Sequence, residues 1–258
     1  MNDRLMRLWA TKNKDDEWWS SFVTSPLAIA ANYLVVDIKW LTPNLITLFS
    51  FLVAIVSVLF IIGGGTMNFI IAAILIHISH VLDCMDGQMA RYRGTPSPSG
   101  GYYDKLTDQI QVLIWFGAAG YAAYVQSQDV LSVFLAFTGI AFYTLRGYSK
   151  YIEIFTLMTA DKDYLEKRTK EDRVQQKPEV AGLGFGLLSN LRWLFAEQPK
   201  VLLFNEGVLV FMLSMALVFD RLAPMLWVFA ITQICIGLGS GWRRGAQVGR
   251  SESISLSK

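Results

Sequence analysis

Long apolar segments recur along this chain, and they constrain its fold more than any other feature. A helix needs roughly 20 apolar residues to cross the ~30 Å hydrocarbon core of a bilayer. Six segments come near that length, at about residues 44–62, 67–90, 101–124, 129–156, 201–220 and 223–242. The hydrophobic content of 53% over 258 residues and the mean hydropathy of +0.38 are too high for a soluble domain. The sequence predicts an all-α polytopic membrane protein with six transmembrane helices.

The distribution of positive charge indicates how these segments are oriented. Nearly all of the 23 lysines and arginines lie near the N-terminus, in the loops near 91–100 and 157–200, or at the adjoining helix ends. Arg221 is the clear exception. Because cytoplasmic loops are enriched in lysine and arginine, we expect both termini and these loops on the cytoplasmic side. In a bacterium the membrane would be the inner or plasma membrane.

The remaining residues form flanking regions and a linker. Residues 17–38 are apolar and aromatic but contain Pro26 and several polar side chains, which is typical of a helix lying in the membrane plane. A short spanning segment is the alternative, and residues 183–197 could be a second interfacial segment. The expected regions are a cytoplasmic N-terminal region with the interfacial helix (1–40), the six-span domain (41–245) with a cytoplasmic linker (157–200), and a cytoplasmic tail (246–258).

Neither a cleaved signal peptide nor a disulfide framework is expected. The first 19 residues contain no apolar core followed by a small-residue cleavage site. Cys84 and Cys235 lie in apolar segments without a partner pattern, which also argues against a zinc site.

Four aspartates follow the second apolar segment in DCMDGQMARYRGTPSPSGGYYDKLTD, residues 83–108. Asp83 and Asp86 are three residues apart, and Asp104 and Asp108 are four apart, so each pair shares a helix face. A short loop between the two helices makes them antiparallel neighbours and brings the carboxylates to one depth. Carboxylates near the membrane boundary are costly unless a cation offsets their charge, and oxygen ligands favour Mg²⁺, Mn²⁺ or Ca²⁺. The sequence therefore predicts a divalent metal site with room for two ions.

The residues between the aspartates suit a ligand that carries phosphate. Gly87 and Ala90 are small and leave a groove in which a ligand can approach the backbone. Gly100 and Gly101 open the next helix and expose backbone N–H groups, which favour anions. Arg91 can contact a phosphate through two parallel hydrogen bonds.

Together these residues resemble the signature of the CDP-alcohol phosphotransferase family. Members are integral membrane enzymes with six spans and often form homodimers. They transfer a phospho-alcohol group from a CDP-linked donor to a hydroxyl acceptor, release CMP and require Mg²⁺ or Mn²⁺. The positions that match, with the spacing of the signature, are Asp83, Asp86, Gly87, Ala90, Arg91, Gly100, Asp104 and Asp108.

The resemblance implies a role for each of these positions. Asp83, Asp86 and Asp104 would bind two ions of Mg²⁺ or Mn²⁺. Asp108 would help to bind them and would act as the general base that accepts the proton of the acceptor hydroxyl. The residues that would line the CDP pocket are Asp83, Gly87, Ala90, Arg91 and Gly100.

Two stretches outside the four aspartates extend the resemblance. The sequence LTPNLIT at 41–47 is similar to the Pro-Asn-x-x-Thr with which many members begin their first span, so Asn44 and Thr47 would contact the nucleotide. The alternative is that Pro43 starts this helix and the two polar residues cap it. The Ser-Pro-x-Gly element at 97–100 resembles eukaryotic enzymes that use CDP-choline or CDP-ethanolamine.

The acceptor site is expected outside the signature. Arg146 and Lys150 lie one turn apart near the cytoplasmic end of the fourth segment, where they could bind the phosphate of inositol phosphate or glycerol phosphate. The alternative is that they only contact lipid head groups. Glu206 and Gln233 lie in or near apolar segments and need polar partners that the sequence does not name. His80, one turn before the signature, either bonds to a metal-bound carboxylate or packs in the core.

Three functions remain open at this point. The first is phospholipid synthesis, with CDP-diacylglycerol as donor and a small polar alcohol or its phosphate as acceptor. The second uses a soluble CDP-alcohol of the choline, ethanolamine or inositol type, with diacylglycerol or inositol phosphate as acceptor. The third is a cation or proton transporter, which would spread acidic residues over several spans near mid-membrane. The clustering at one edge favours a transferase. Its expected partners are its substrates and membrane lipids, with a second copy as the resemblance implies, and not nucleic acid.

Overall fold

The computed structural model describes residues 3–13, 17–161, 163–175 and 187–256, and every regular element in these ranges is a helix, which confirms the all-α prediction. The α-helices are α1 (Asp3–Trp9), α2 (Ser25–Val35), α3 (Pro43–Gly63), α4 (Thr66–Arg93), α5 (Pro98–Ser127), α6 (Leu131–Ala160), α7 (Tyr164–Gln175), α8 (Leu187–Glu197), α9 (Glu206–Val218) and α10 (Leu222–Leu256). A π-helical turn, Ser20–Thr24, runs directly into α2, and a 3₁₀ helix, Gln198–Leu203, follows α8.

Four of these helices are long and apolar enough to cross a membrane, namely α3, α4, α6 and α10. They indicate a polytopic integral membrane protein. The other two predicted spans correspond to α5, whose first turns carry three charged residues, and to α9, which has only 13 residues. At 1.5 Å per residue α9 is about 20 Å long, which is shorter than the bilayer core. The number of six spans therefore stays a prediction.

Glycine and capping residues set the helix ends that frame the aspartates. Thr42 caps α3 by accepting a hydrogen bond from the Leu45 N–H, and Pro43 occupies the first turn. Gly94 ends α4 in the left-handed region with a φ of 67°, which only glycine adopts readily. Ser97 then caps α5 through the Gly100 N–H, with Pro98 in the first turn. As expected from sequence, α4 and α5 are consecutive helices joined by a short loop.

The larger apolar core is formed by α3, α4, α5, α6, α9 and α10. The rings of Phe116 and Phe229 stack with their centroids 3.9 Å apart. A Cβ atom at Gly139 would lie 2.3 Å from the Phe229 ring, so α6 and α10 approach each other closely at this position. The packing fixes α5 against its neighbours well away from the aspartates.

The break before α9 separates two parts of the predicted segment 201–220. Phe204 has a φ of 50°, and its ring packs edge-on against Phe229 at 5.2 Å. Arg146 donates a hydrogen bond to the carbonyl of Leu203. These tertiary contacts hold the chain out of helical geometry, so the continuous helix starts only at Glu206.

The chain segment that follows α2 is hydrogen-bonded to α4. Within the predicted segment 17–38, the helical part stops at Val35. Arg93 of α4 donates hydrogen bonds of 2.7–2.9 Å to the carbonyls of Val36, Ile38 and Leu41. These bonds satisfy the carbonyls past the helix end and fix the turn that leads into α3. That the segment 17–38 lies in the membrane plane stays a prediction.

Over the described residues, the predicted linker and tail are also mainly helical. The predicted linker 157–200 contains the end of α6, all of α7 and α8, and part of the 3₁₀ helix, while residues 162 and 176–186 lie outside the described residues. Of the predicted interfacial segment 183–197, the structure describes the part that forms α8. The predicted tail continues α10 as far as Leu256.

Candidate active site

Three of the four aspartates form a compact group, called the carboxylate cluster here. Asp83 comes from α4, and Asp104 and Asp108 come from α5. One carboxylate oxygen of each lies within 4.8 Å of those of the other two. The helix spacings explain the grouping, because Asp104 and Asp108 are one turn apart on the face of α5 that turns toward Asp83.

Asp86 lies beside this cluster and is not part of it. Asp86 is 5% exposed, and its carboxylate accepts a hydrogen bond from the Thr47 hydroxyl of α3. Thr47 also donates to the carbonyl of Pro43 at 3.2 Å. The sequence reasoning expected four carboxylates to converge, and the Thr47 contact accounts for the different position of the fourth.

A polar cavity of about 790 Å³ opens next to the cluster. Asp83, Asp86 and Asp104 line it, while Asp108 has a side chain that is only 16% exposed and lies against Asp83 and Asp104. A cavity of this size accommodates a ligand as large as a nucleotide.

The residues assigned to the nucleotide pocket all line this cavity, namely Asn44, Thr47, Asp83, Gly87, Ala90, Arg91 and Gly100. A Cβ atom at Gly87 would lie 3.2 Å from the guanidinium of Arg91, and one at Gly100 would lie 3.2 Å from the side-chain oxygen of Asn44. Both glycines therefore allow polar side chains to approach the backbone. The capping alternative for Asn44 and Thr47 is not what is seen, because Thr42 caps α3.

The N-terminal residues orient Arg91. Its Nε donates a 2.7 Å hydrogen bond to the carbonyl of Thr11, just after α1. Asn13 from the same stretch lines the cavity. Residues far upstream of the signature thus hold the arginine that was assigned to the nucleotide.

Lys105 is the cation nearest to the carboxylate cluster among the described residues. Its Nζ donates hydrogen bonds to Asp104 Oδ2 at 3.0 Å and to Asp108 Oδ2 at 3.1 Å. It also lies 3.9 Å from Glu206 Oε1 at the first residue of α9. Lys105 is therefore the partner that the sequence could not name for Glu206.

The two residues assigned to acceptor binding have different positions. Arg146 lines the cavity together with Tyr143, and its guanidinium lies 4.9 Å from the centroid of the Tyr143 ring. Lys150 is exposed and does not line the cavity. Sequence reasoning missed Tyr143 and Asn205, which share this end of the cavity with Arg146 and Glu206.

A buried polar junction closes the wall of the cavity near the start of α9. Glu17 accepts hydrogen bonds from the Ser20 hydroxyl and, at 2.8 Å, from the backbone N–H of Gly207. The Ser20 hydroxyl also lies 3.0 Å from His80 Nε2. A Cβ atom at Gly207 would lie 2.1 Å from the Glu17 carboxylate, so this contact requires glycine. His80 therefore bonds to the N-terminal region.

Sequence patterns gave little indication of this junction, because Glu17 and Gly207 are 190 residues apart. The acidic residue directly before two tryptophans was the available hint. Trp18 and Trp19 pack against Phe211 of α9, with ring centroids 5.1 and 4.6 Å apart. The N-terminal region and the first turns of α9 thus form one wall.

The carboxylate cluster fits a hard divalent cation. Its donor set is oxygen only, which suits Mg²⁺ or Mn²⁺. Asp83 Oδ1 is buried and has no hydrogen-bond partner among the described residues. A buried carboxylate oxygen without a partner is costly, and a bound cation would offset that cost. Asp83, Asp104 and Asp108 are therefore placed to hold an ion together, and the assignment of Asp86 as a further metal ligand stays a prediction.

Three relatives match between about a third and two fifths of this chain. A cholinephosphotransferase 1 from Xenopus laevis is 29% identical over 102 residues, which cover 36% of this chain and 25% of the relative. A bifunctional IPC transferase and DIPP synthase from Thermococcus kodakarensis is 30% identical over 106 residues, covering 41% of this chain and 23% of the relative. An uncharacterized protein from Aquifex aeolicus is 33% identical over 102 residues, covering 37% and 48%. The matched stretch spans less than half the length of each relative.

The family match is wider than these pairwise matches. Residues 40–169, just over half of the 258 residues, match the CDP-alcohol phosphatidyltransferase family. The matched region contains the carboxylate cluster, Arg91, Gly100 and Arg146. This chain therefore belongs to the CDP-alcohol phosphatidyltransferase family.

Proposed function

We propose that the chain transfers a phospho-alcohol group from a CDP-alcohol to the hydroxyl of an acceptor and releases CMP, in a reaction that depends on Mg²⁺ or Mn²⁺. The observation that carries the proposal is the carboxylate cluster at the edge of a nucleotide-sized cavity in a member of this family. Two ions, a cytoplasmic site and a homodimer are part of the proposal, as the family resemblance implies.

The CDP-alcohol donor would be held by residues of both α4 and α5. Arg91 contacts a phosphate, and its position is fixed by Thr11. Gly87 and Gly100 let the nucleotide approach the backbone. Divalent ions bound by the carboxylate cluster would neutralise the diphosphate and the leaving CMP.

Asp108 would act on the acceptor. As the acceptor oxygen attacks the phosphorus that carries the alcohol, its proton passes to the Asp108 carboxylate. A new P–O bond forms, the bond between this phosphorus and the bridging oxygen breaks, and CMP leaves with that oxygen. Arg146 and Tyr143 lie at the end of the cavity where the acceptor or the alcohol would bind.

Two donors fit this scheme. CDP-diacylglycerol with a small polar acceptor is the first candidate, because the cavity lies in an integral membrane protein and the basic side chain of Arg146 suits an acceptor phosphate. A soluble CDP-alcohol is the second candidate. It is supported by the similarity to a protein named cholinephosphotransferase and by the Ser-Pro-x-Gly element at 97–100.

One experiment tests the reaction and separates the donors. Purified protein is incubated with Mg²⁺ and a panel comprising CDP-diacylglycerol, CDP-choline, CDP-ethanolamine and CDP-inositol. The acceptors are glycerol phosphate, inositol phosphate and diacylglycerol. Mass spectrometry identifies the product, and a CMP assay follows release. CMP with a new phosphodiester supports the proposal, and the donor that yields it decides between the candidates. Absence of CMP from every donor, or undiminished release in EDTA, would contradict it.

A further inference from the structure

Lys105 occupies an unusual position for a lysine next to a metal site. It follows Asp104 directly and lies three residues before Asp108 on α5, so its ammonium can reach both carboxylates. Its ammonium bonds to the Oδ2 atoms of both aspartates at 3.0 and 3.1 Å. The two aspartates belong to the carboxylate cluster.

A divalent ion and this ammonium would compete for the same oxygens. Two cations bound to the same pair of carboxylates would lie only a few ångströms apart, at a distance where like charges repel strongly. Binding of the ion by Asp104 and Asp108 would therefore require the ammonium to move away. The Lys105 side chain is 59% exposed and its four-carbon stem is flexible, so it is free to move.

Glu206 is a second partner within reach. Its carboxylate lies 3.9 Å from the Lys105 ammonium and is outside the carboxylate cluster. The hydrogen bond from the Gly207 N–H to Glu17 fixes the first turn of α9, and with it the position of Glu206. A small rotation of the lysine stem would exchange Asp108 for Glu206 without leaving the ammonium unpaired.

We propose that Lys105 is a tethered counter-cation of the carboxylate cluster that competes with the divalent ion and is received by Glu206 when the ion binds. The inference rests on the proposed function, because it requires that the cluster bind a metal ion. Lys105 lowers the affinity for the ion, and Glu206 partly restores it by stabilising the displaced ammonium.

Mn²⁺ alone is a suitable probe, since its free concentration is measured by electron paramagnetic resonance without turnover. The full chain in detergent at low ionic strength is titrated with Mn²⁺. Lys105→Met is expected to lower the Kd about tenfold or more, because the competing charge is gone. Lys105→Arg keeps the charge and is expected to stay near the wild-type Kd. Lys170→Met, at an exposed position of α7 where Lys170 pairs with Glu166, is the matched control and should not change the Kd.

The role of Glu206 is tested by a double-mutant cycle. Glu206→Gln alone is expected to raise the Kd about tenfold, whereas in the Lys105→Met background it should have little effect. An equal effect in both backgrounds would mean that Glu206 acts only through its own charge, and would overturn the receiving role. An unchanged Kd in Lys105→Met, or no Mn²⁺ binding by the wild type, would overturn the competition.

The outcome is separable from that of the proposed function. Both altered side chains are more than half exposed, so the variants are expected to fold, and thermal unfolding checks this. The expected Mn²⁺ affinities without CMP release from any donor would overturn the transferase and leave the counter-cation in place. CMP release together with a Mn²⁺ Kd that is unchanged in Lys105→Met would support the transferase and overturn the counter-cation.

Discussion

The two walls of the polar cavity are built in different ways. The wall formed by α4 and α5 comes from residues 83–108, in which helical spacing alone brings Asp104 and Asp108 onto one face. The other wall joins Glu17 to Gly207, which are 190 residues apart. The family match covers residues 40–169 and so includes the first wall and excludes both of these residues. The local wall carries the groups proposed for chemistry, and the long-range wall fixes the shape of the space around them.

Asp108→Asn is expected to have the largest effect and tests the chemical role of the local wall. Loss of the general base should lower CMP release about a thousandfold. CMP affinity, measured by isothermal titration calorimetry without divalent ions, should change little because Asp108 does not line the cavity. The control is Asp129→Asn, an exposed position before α6 whose side-chain oxygen accepts a hydrogen bond from the Leu131 N–H. Full turnover in Asp108→Asn would refute the assignment of the base.

Arg91→Ala should weaken nucleotide binding by about ten- to a hundredfold, because a charge-assisted contact to phosphate contributes roughly 1.5–3 kcal/mol. The Kd of CMP in Mg²⁺ is the measurement. Arg192→Ala at an exposed position of α8 removes the same charge elsewhere and should leave this Kd unchanged. An equal Kd in the two variants would remove Arg91 from the nucleotide pocket.

Gly207→Ala tests the long-range wall. The added methyl group would lie 2.1 Å from the Glu17 carboxylate and 2.3 Å from the Ser20 hydroxyl, so one of them must move. Overpacking of this kind typically costs about 1–3 kcal/mol. Thermal unfolding in detergent should therefore show a lower Tm.

The matched control is Gly241→Ala on α10, where nothing lies within 4 Å of the added atom. A Tm for Gly207→Ala equal to that of Gly241→Ala would mean that the junction contributes nothing to stability, and the contrast between the two walls would lose its basis.

Lys150→Ala is expected to have the smallest effect and sharpens the boundary of the cavity. Lys150 is exposed and outside the cavity lining, whereas Arg146 lies within it. The KM of the acceptor should change less than about twofold in Lys150→Ala, as for most surface substitutions. It should rise about tenfold in Arg146→Ala, which loses charged hydrogen bonds. A larger rise of the acceptor KM in Lys150→Ala would support acceptor binding by both Arg146 and Lys150, as predicted from sequence.

Much of the helical framework was predictable because its signals are local. Apolar runs, the glycines at 63–65 and the Ser97 cap with Pro98 depend on neighbours in the chain. The helices α3 to α6 begin and end within about four residues of the expected places, whereas α10 continues to Leu256, well past the expected end at 242. The start of α9 was not predictable in this way. Phe204 leaves helical geometry because its ring packs on Phe229 and because Arg146 donates a hydrogen bond to the Leu203 carbonyl. Both partners lie outside or beyond the pattern of residues 201–220, so that pattern does not indicate either contact.

The same distinction applies within the candidate site. Helix periodicity placed the aspartates in two pairs, but Asp86 bonds to the Thr47 hydroxyl of α3 and lies beside the group formed by the other three. Periodicity also placed Arg146 and Lys150 on one side of a helix. The packing of α6 against the break before α9 decides that only Arg146 reaches the cavity.

By itself the sequence determined the all-α membrane architecture, the family and the carboxylates proposed for metal binding, because these depend on composition and on spacings of three and four residues within a helix. The tertiary structure alone decided which carboxylates share one point, how Lys105 and Glu206 meet, and how Glu17 holds the start of α9. Contacts between distant residues arise only when helices pack, so no local pattern in the chain encodes them.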